Sequence, residues 1–483
     1  MFERLIAFHA NHRPDGLVIA SAWDRFTYRQ MADDIARCAA WVAELNLPWG
    51  SRALIAVPHP YLHWVLTFGL ETAGVISATT SPFAPLAADL AFLHAEVLFA
   101  RDVPEQPVGV PVHRIDQAWL DGLARYPANW AGDRPRRPED GFRIVTTSGT
   151  TGTPKKILLT RGMMDRRVAD SAVTQVFAPP NNPRGISEIG VGSLAGIQLA
   201  FLMWTRGGTL CHHDPRVPWA QTLAELEIDL MVAAPYHLQV LLRNLPDDHA
   251  PKPGLLVGVA GGSISKPLAQ ACRRRLSPNL ILTYGSTETG SVTVGHVDTL
   301  EGAEDSAGYL NPWAVVQVFD AQGAILPPGQ MGEIRIGGPH VVPGYLDDLA
   351  GTQAHFKDGW FYPNDVGVLT DQGRLTVLGR LDDLMNIGGV KLVASQLETH
   401  VLKVEGVLDA AAFAAPDEEG LDAPHVAYVS DAGFDPAPLE KIFSTQLGRP
   451  ARLLRLDEIP RNPLGKVQRT LLRDRVIAAA AAA

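Results

Sequence analysis

Residues 146–156 read TTSGTTGTPKK and directly follow the apolar run Phe142–Val145. A short apolar run of this kind is typical of a buried strand. In the loop after it, small residues allow backbone N–H groups to approach phosphate oxygens, and hydroxyl groups and Lys155 add hydrogen-bond donors and positive charge. A flexible Ser/Thr/Gly linker is the alternative, but linkers rarely follow a buried strand directly and end in Pro-Lys-Lys. The stretch therefore predicts a phosphate-binding loop.

Two common nucleotide motifs do not describe this chain. A Walker A loop has four residues between its glycines and then Gly-Lys-Ser/Thr, whereas Gly149 and Gly152 are three positions apart and Lys155 follows a proline. Residues 190–195, GVGSLA, match the dinucleotide fingerprint G-x-G-x-x-A. No clear strand pattern precedes them, so we do not expect a dinucleotide site there.

Outward from the loop, apolar runs alternate with helical patterns, and this alternation predicts parallel sheets covered by helices. The predicted strands are 52–57, 75–78, 142–146, 230–233, 255–259 and 280–283. From about residue 310 the pattern changes to strands joined by Gly/Pro turns, which indicates antiparallel hairpins. The last segment, of about 100 residues, is long enough for a small domain. We expect an α/β fold with a large domain, 1–381, and a small α+β domain, 382–483.

Composition excludes several classes of function. The net charge of −10 disfavours nucleic-acid binding, which needs a broad basic face. The longest apolar stretch, 194–204, is too short for a membrane span, and the N-terminus lacks a signal-peptide pattern, so we expect a cytoplasmic protein. Three distant cysteines show neither metal-ligand spacing nor a disulfide framework. Residues 212–214, His-His-Asp, lack a visible third ligand and are read as a turn rather than a metal site.

Residues 147–155, TSGTTGTPK, resemble the phosphate-binding signature of the adenylate-forming (ANL) superfamily. This superfamily comprises acyl- and aryl-CoA synthetases, adenylation domains of nonribosomal peptide synthetases and firefly-type luciferases. Further segments resemble its motifs in the same order, so the resemblance covers nearly the whole chain: 283–288, 359–367, 379–382 and 460–469. It implies a mobile C-terminal domain and an enzyme that uses ATP and Mg²⁺ to form an acyl-adenylate. The acyl group would then pass to a thiol, that of coenzyme A or of a separate phosphopantetheinyl carrier protein.

The resemblance also implies a role for each matching residue around the nucleotide. Tyr284 would stack on adenine, Thr287 would contact the α-phosphate, and Glu288 would hold Mg²⁺. The chemistry agrees, because an aromatic face suits a purine and a carboxylate beside polyphosphate requires a cation between them. The other nucleotide-binding candidates are Thr147, Ser148, Gly149, Thr150, Thr151, Gly152, Lys155, Gly262, Ser263, Gly285, Asp365 and Arg380.

Later motifs supply the remaining roles. Asp365 would bind the ribose hydroxyls, although Pro363-Asn364 stands where the superfamily usually has Thr-Gly. Asp382 would be the hinge between domains, and Gly388 and Gly389 would line the tunnel for the thiol arm. Lys466 would lie between the carboxylate and the α-phosphate, where it offsets their mutual repulsion. The hairpin segment 332–345 is read as structural.

The acid itself is less well defined by the sequence. Amino-acid-activating relatives carry an Asp where this chain has Val191, so an α-amino acid is disfavoured. The expected pocket residues, which favour an aromatic or apolar acid, are Ser193, Leu194, Tyr236, His237 and Gly261. For Tyr236 and His237 the alternative is packing at a helix start after Pro235. A non-catalytic nucleotide-binding regulator is the rival class, and the presence of Glu288 and Lys466 argues against it.

Overall fold

The computed structural model of the chain describes residues 2–80, 85–130, 132, 134–147, 154–173, 182–262, 264–300, 306–381, 384–387, 390–416, 422–447, 451–461 and 467–481. Helices and strands alternate through the first 173 residues, as the hydrophobic pattern predicts. In chain order they are α1 (Phe2–His12), β1 (Leu17–Ala20), β2 (Arg25–Thr27), α2 (Tyr28–Glu44), β3 (Arg52–Ala56), α3 (Pro60–Thr72), β4 (Ile76–Thr79), α4 (Leu86–Leu93), β5 (Val97–Ala100), β6 (Val112–Arg114), α5 (Gln117–Gly122), a 3₁₀ turn (Leu123–Arg125), β7 (Gly141–Thr147), β8 (Lys155–Thr160) and α6 (Arg161–Val173).

The first sheet is formed by strands β3 to β8. Within the described residues its strand order is β6-β5-β3-β4-β7-β8. Neighbouring strands are parallel except β7 and β8, which are antiparallel. Thr147 at the end of β7 pairs with Lys155 at the start of β8. The two ends of the predicted phosphate loop are therefore adjacent at one edge of the sheet.

The second sheet continues the alternation of strands and helices. Its further elements are β9 (Arg184–Ser187), α7 (Leu194–Thr205), β10 (Thr209–Cys211), α8 (Trp219–Glu225), β11 (Leu230–Ala233), α9 (Pro235–Asn244), β12 (Leu256–Val259), α10 (Lys266–Arg275) and β13 (Asn279–Ser286). Strands β1, β10, β9, β11, β12 and β13 are neighbours in that order, all parallel. The carboxyl ends of these strands therefore meet at one edge.

One expectation about this sheet was wrong. The sequence pattern showed no clear strand before residues 190–195, yet β9 ends at Ser187 and α7 begins at Leu194. Arg184–Ser187 is a four-residue strand with only two fully buried positions, too short to give a periodic signal. The glycines have a local reason: Gly190 has φ of +78°, and a Cβ on Gly196 would lie 2.0 Å from the Gly190 carbonyl oxygen. They close a tight turn into α7.

Antiparallel strands follow β13, as the turn-rich sequence predicts. The elements of this region are β14 (Gly290–His296), a 3₁₀ turn (Val297–Leu300), β15 (Ser306–Leu310), β16 (Val315–Phe319), β17 (Met331–Gly337), α11 (Leu349–His355), β18 (Phe356–Lys357), β19 (Trp360–Phe361), β20 (Asp365–Leu369) and β21 (Arg374–Arg380). β14 pairs with β13, and β15 joins β14 to β21. Hydrogen bonding therefore runs without interruption from the second parallel sheet into the antiparallel strands.

The last hundred residues have their own α+β elements. These are β22 (Leu384–Ile387), β23 (Val390–Val393), α12 (Ala394–Val401), β24 (Val407–Pro416), β25 (Asp422–Ser430), α13 (Ala437–Leu447), β26 (Arg452–Arg455) and α14 (Arg469–Ala481). β24, β25 and β26 form one sheet, and separate apolar clusters cover its faces. The boundary between domains at residue 382 stays a prediction, because Asp382 lies outside the described residues.

The two parallel sheets share one core, which α3 and α7 fill. Trp64 and Phe68 of α3 contact Phe201 and Trp204 of α7, with ring centroids 5.1–6.1 Å apart. All three cysteines are buried and free. In the described part of the chain, no helix has both the length and the apolar character to cross a membrane.

Candidate active site

Three of the predicted nucleotide-binding side chains meet at the end of β13. The Tyr284 hydroxyl donates to Oδ2 of Asp365 at 2.5 Å, and Nε of Arg380 lies 3.0 Å from Oδ1 of Asp365. The strand register explains the second contact, because Asp365 and Arg380 are paired residues of β20 and β21. Burial and the nearby carboxylate raise the pKa of Tyr284 well above its usual value, so its hydroxyl stays a donor. The Asp365 carboxylate is thus held on both of its oxygens.

The departure from the superfamily pattern before Asp365 has a conformational explanation. Asn364 has φ of +59°, in the left-handed region that glycine adopts without strain and asparagine tolerates. Its carbonyl oxygen accepts a hydrogen bond from the backbone N–H of Leu381 at 2.7 Å. Asparagine therefore takes the turn in which the superfamily uses glycine, and Asp365 keeps its place.

Glu288, the predicted Mg²⁺ ligand, is fixed from two sides. Its side chain is buried, and Oε1 accepts a hydrogen bond from the Tyr345 hydroxyl at 3.1 Å. Its carbonyl oxygen accepts from the backbone N–H of Val342 at 2.8 Å. The sequence reading assigned Tyr345 to a structural hairpin and missed this contact. The two residues are 57 positions apart, so no local pattern could have revealed it.

Lys155 extends the same group of residues toward the predicted phosphate loop. Its Nζ atom lies 2.6 Å from Oδ2 of Asp348 and 5.8 Å from the centre of the Tyr345 ring. Asp348 also caps α11, because its Oδ1 accepts from the backbone N–H of Gly351 at 2.8 Å. The chain of contacts Lys155–Tyr345–Glu288 therefore links the end of the loop to the end of β13.

Arg167 of α6 is a second residue that sequence reasoning missed. Its side chain is fully buried, and its Nη2 atom donates to the carbonyl oxygens of Thr287, at 3.1 Å, and His340, at 2.7 Å. Burial lowers the pKa of Arg167 to about 10, while the Glu288 carboxylate acts in the opposite direction. The guanidinium fixes the backbone beside Thr287 and partly offsets the buried charge of Glu288.

The predicted acyl-pocket residues lie at the carboxyl edge of the second sheet. Ser193 caps α7: its hydroxyl donates to the carbonyl of Gly190 and accepts from the N–H of Gly196. His237 caps α9 by accepting from the N–H of Ala234 at 3.3 Å, as the helix-start alternative predicts. Leu194 is buried and Tyr236 is exposed. These residues lie around the carboxyl edge of the second sheet. The hydroxyl of Ser193, however, is already hydrogen-bonded within the cap of α7.

A buried arginine of the first sheet contacts the segment that leads into α7. Arg143 of β7 is fully buried, and its guanidinium donates to Thr67, Ser77, Thr79 and His63. Its Nη2 atom also lies 3.4 Å from the carbonyl oxygen of Val191. Burial lowers its pKa to about 10. The arginine in the middle of an apolar strand was a visible signal that the sequence reading did not use.

Several candidates fall outside the described residues. These are Ser148, Gly149, Thr150, Thr151, Gly152, Ser263, Asp382, Gly388, Gly389 and Lys466. The other nucleotide-binding candidates lie within the described residues and include Thr147, Lys155, Gly262 and Gly285. A Cβ on Gly285 would lie 2.1 Å from the Gly290 carbonyl oxygen, so this position requires glycine for the close approach of β13 and β14.

The side chains present fit a magnesium nucleotide. No cluster of three or more His, Cys, Asp or Glu side chains occurs among the described residues. Mg²⁺ in nucleotide enzymes is usually held by one or two carboxylates together with substrate phosphates and water. A single buried carboxylate, Glu288, is therefore sufficient. The pre-oriented Asp365 carboxylate is an acceptor suited to a pair of ribose hydroxyls.

Comparison with known proteins gives consistent results. The family model described as AMP-binding enzyme matches residues 6–346. The 2-succinylbenzoate–CoA ligase of Listeria monocytogenes serotype 4b (strain F2365) is 28% identical over 346 residues, covering 69% of each chain. The 4-chlorobenzoate–CoA ligase of an Arthrobacter species is 26% identical and covers 97% of this chain and 94% of that protein. The o-succinylbenzoate coenzyme A synthetase of Bacillus subtilis, solved with ATP and magnesium ion, has a TM-score of 0.83 at 21% identity, covering 97% of this chain and 99% of that chain.

Proposed function

The chain belongs to the AMP-binding enzyme family and is an AMP-forming ligase of the acyl-CoA synthetase type, and from this premise we propose that it joins an aromatic carboxylic acid to coenzyme A. Two relatives named above act on substituted benzoates, by their names, and both are CoA ligases. ATP and Mg²⁺ are the cosubstrate and metal, in agreement with the residues at the end of β13. A separate carrier protein as acceptor of the acyl group is the second candidate, because a carrier presents the same phosphopantetheine thiol.

One observation carries the proposal: two groups of contacting side chains, from distant segments of the chain, lie at the end of β13. Tyr345 contacts Glu288, and the Tyr284 hydroxyl contacts Asp365, which pairs with Arg380. Lys155 approaches the first group from the end of the predicted phosphate loop. A group that served only stability would not need acidic, basic and hydroxyl side chains at the carboxyl edge of a parallel sheet, where ligands of open α/β folds bind. An aromatic ring, a ribose-binding carboxylate and a metal-binding carboxylate form a nucleotide site.

The proposed first half-reaction follows from the charges. A carboxylate oxygen of the acid attacks the α-phosphorus of ATP, the bond to the bridging oxygen breaks, and pyrophosphate leaves. Glu288 would hold Mg²⁺, and Lys155 with the loop 147–155 would bind the outer phosphates. Lys466 would act between two anions that otherwise repel each other, so that its charge stabilises the transition state. Positioning and electrostatics supply most of the rate enhancement in such transfers.

In the proposed second half-reaction a thiol sulfur attacks the acyl carbonyl and AMP leaves. We propose that the segment from 382 onward rotates about Asp382 between the two steps, so that Lys466 leaves and the tunnel beside Gly388 and Gly389 forms. Asp382→Pro restricts this rotation by fixing one backbone torsion. We expect thioester formation to slow at least tenfold more than acid-dependent pyrophosphate release. Equal loss of both half-reactions would contradict the hinge.

The experiment that tests the function is acid-dependent release of pyrophosphate from ATP. Aryl, fatty and amino acids are compared, each with and without coenzyme A. Turnover with a benzoate that rises strongly with coenzyme A and yields a thioester supports the proposal. A small burst that coenzyme A does not relieve indicates a carrier protein as acceptor. Turnover only with fatty or amino acids contradicts the aromatic assignment.

A further inference from the structure

A carboxylate that pairs with no described residue lies at the end of β9. Glu188 directly follows this strand, and its backbone N–H donates to the carbonyl oxygen of Val232 in β11 at 2.9 Å. Its side chain is half-buried, and no described residue forms a hydrogen bond or ion pair with the carboxylate. Burial raises the pKa of Glu188 to about 7, with no charged neighbour contributing.

Glu188 lies in line with the proposed acyl pocket. Ser187 pairs with Val232, and Ala233 in turn pairs with Val259, so the residues that follow the three strands form a row along the carboxyl edge. The row continues through Ala234 and Pro235 to the glycines after β12. A Cβ on Gly261 would lie 4.0 Å from Cβ of Ala234, and one on Gly262 would lie 3.6 Å from Cδ of Pro235.

A half-buried carboxylate with no partner is costly in the free protein. Burial disfavours its charged form, and groups whose pKa is shifted by burial cluster at functional sites. A glutamate that only faced solvent would not show this loss of hydration. The missing hydrogen-bond partner is therefore expected from the ligand. In either protonation state the carboxyl group keeps an accepting oxygen, so a ligand group that donates a hydrogen bond can pair with it.

We propose that Glu188 selects acids that carry a hydrogen-bond donor, a hydroxyl or amino group, on the end of the molecule away from the reacting carboxylate. This inference rests on the proposed function, because it assumes that the edge between β9 and β12 receives the acid. An acid with a halogen at that end leaves Glu188 without a partner, and a second carboxylate is repelled by the ionised form of Glu188. Val191 offers no second carboxylate for an α-amino group, so the selected donor is remote from the α-carbon.

The test uses the full chain and matched benzoates. The specificity constant for pyrophosphate release is measured for 3- and 4-hydroxybenzoate, 3- and 4-aminobenzoate, the corresponding chlorobenzoates and benzoate. In the unmodified protein we expect the better hydroxy or amino acid to exceed its chloro isostere by about 10- to 100-fold, since a site built for a hydrogen bond rejects analogues that cannot form it. Comparison of the hydroxybenzoates with the aminobenzoates shows whether Glu188 pairs with a hydroxyl or with an amino group.

Two variants isolate the side chain. Glu188→Leu should abolish the preference for the donor, with the chloro acid unchanged or improved, whereas Glu188→Gln should retain part of it because the amide oxygen still accepts. A matched control is Glu225→Leu, an exposed residue at the end of α8. Thermal melting checks that each variant is folded, and Glu188→Gln serves if the leucine variant is not.

The outcomes separate the inference from the function on which it rests. No acid-dependent release with any acid in the unmodified protein would overturn the proposed function. Release with several acids, but with a donor-to-chloro ratio that Glu188→Leu and Glu188→Gln leave unchanged, would overturn only the role of Glu188. A preference of the unmodified protein for the chloro acids would overturn it as well.

Discussion

The Tyr284 hydroxyl donates a hydrogen bond to Oδ2 of Asp365 across 2.5 Å and so joins the end of β13 to the start of β20. Asp365 is buried and its other oxygen faces Arg380, so this contact sets the direction of the carboxylate. The ring of Tyr284 and the carboxylate of Asp365 are the two groups that the proposed function assigns to adenine and ribose. One hydrogen bond therefore fixes the geometry of both.

Removal of this hydroxyl is the first prediction. Tyr284→Phe keeps the ring but leaves the buried Asp365 carboxylate with one donor fewer, a loss of about 1.5–3 kcal/mol for a hydrogen bond to a charged group. We expect KM for ATP to rise about 10-fold or more, with a smaller change in the KM for the acid. The matched control is Tyr309→Phe in β15, which should change neither constant. An unchanged KM for ATP in Tyr284→Phe would show that Asp365 does not orient the nucleotide.

The second prediction concerns the turn before Asp365. Asn364 has φ of +59°, so Asn364→Gly should preserve both activity and stability, whereas Asn364→Val forces a β-branched residue into the left-handed region. The expected cost of the valine is about 1–2 kcal/mol of folding free energy, with a rise in KM for ATP. Chemical denaturation and ATP-dependent kinetics measure the two effects. If the glycine variant loses as much activity as the valine variant, the asparagine side chain itself is required and the conformational explanation is wrong.

The third prediction concerns Tyr345, whose hydroxyl donates to Oε1 of Glu288. Tyr345→Phe leaves the metal-binding carboxylate in place but less firmly oriented. Partners of this kind typically change metal affinity by about 10- to 100-fold. We expect the Mg²⁺ concentration for half-maximal rate to rise within that range, with a maximal rate that excess Mg²⁺ largely restores. The control is Tyr362→Phe, which removes a hydroxyl that accepts from Arg335 instead. A Mg²⁺ dependence that matches the control would contradict the assignment of Glu288.

The same residues show which features of the fold and of the site could be predicted from the sequence. The strand and turn patterns predicted β7, β11, β12 and β13 and the change to antiparallel strands, because buried runs and Gly/Pro turns are local signals. The sequence did not predict contacts between distant segments. Tyr345 approaches Glu288 only once β17 and the segment after it pack against β14. β9 was missed because four residues with two buried positions give no period.

The partners of charged residues show the same limit. Lys155 was predicted to bind phosphate from its motif, but its contact with Asp348 depends on a loop 193 positions away. Glu188 belongs to no motif, and only the fold shows that none of the described residues pairs with its carboxylate. A local sequence pattern predicts a helix or a strand, whereas the contacts of a side chain can be seen only in the folded structure.

The last prediction concerns Asp347, which ties the loop before α11 to the first sheet. Its Oδ2 lies 2.6 Å from Arg52 of β3 and 2.9 Å from Lys156 of β8. Hydrogen bonds from Arg52 and Lys156 hold the pKa of Asp347 well below its usual value. Asp347→Asn should lower the free energy of unfolding at pH 7 by about 1–2 kcal/mol, a modest figure because the carboxylate is partly exposed.

The sign of the pH dependence follows from that lowered pKa. The unfolded chain binds a proton near pH 4, before the folded protein does, so the contribution of Asp347 is complete above about pH 4 and declines as the pH falls toward the folded-state pKa. Urea denaturation midpoints at pH 7, 5 and 3.5 should therefore show a difference between the unmodified protein and Asp347→Asn that is constant down to about pH 5 and smaller at the lowest value. Asp371→Asn, in an exposed turn, is the matched control and should show little difference at any pH. A difference that grows on acidification would mean that Asp347 does not stabilise the protein through its charge.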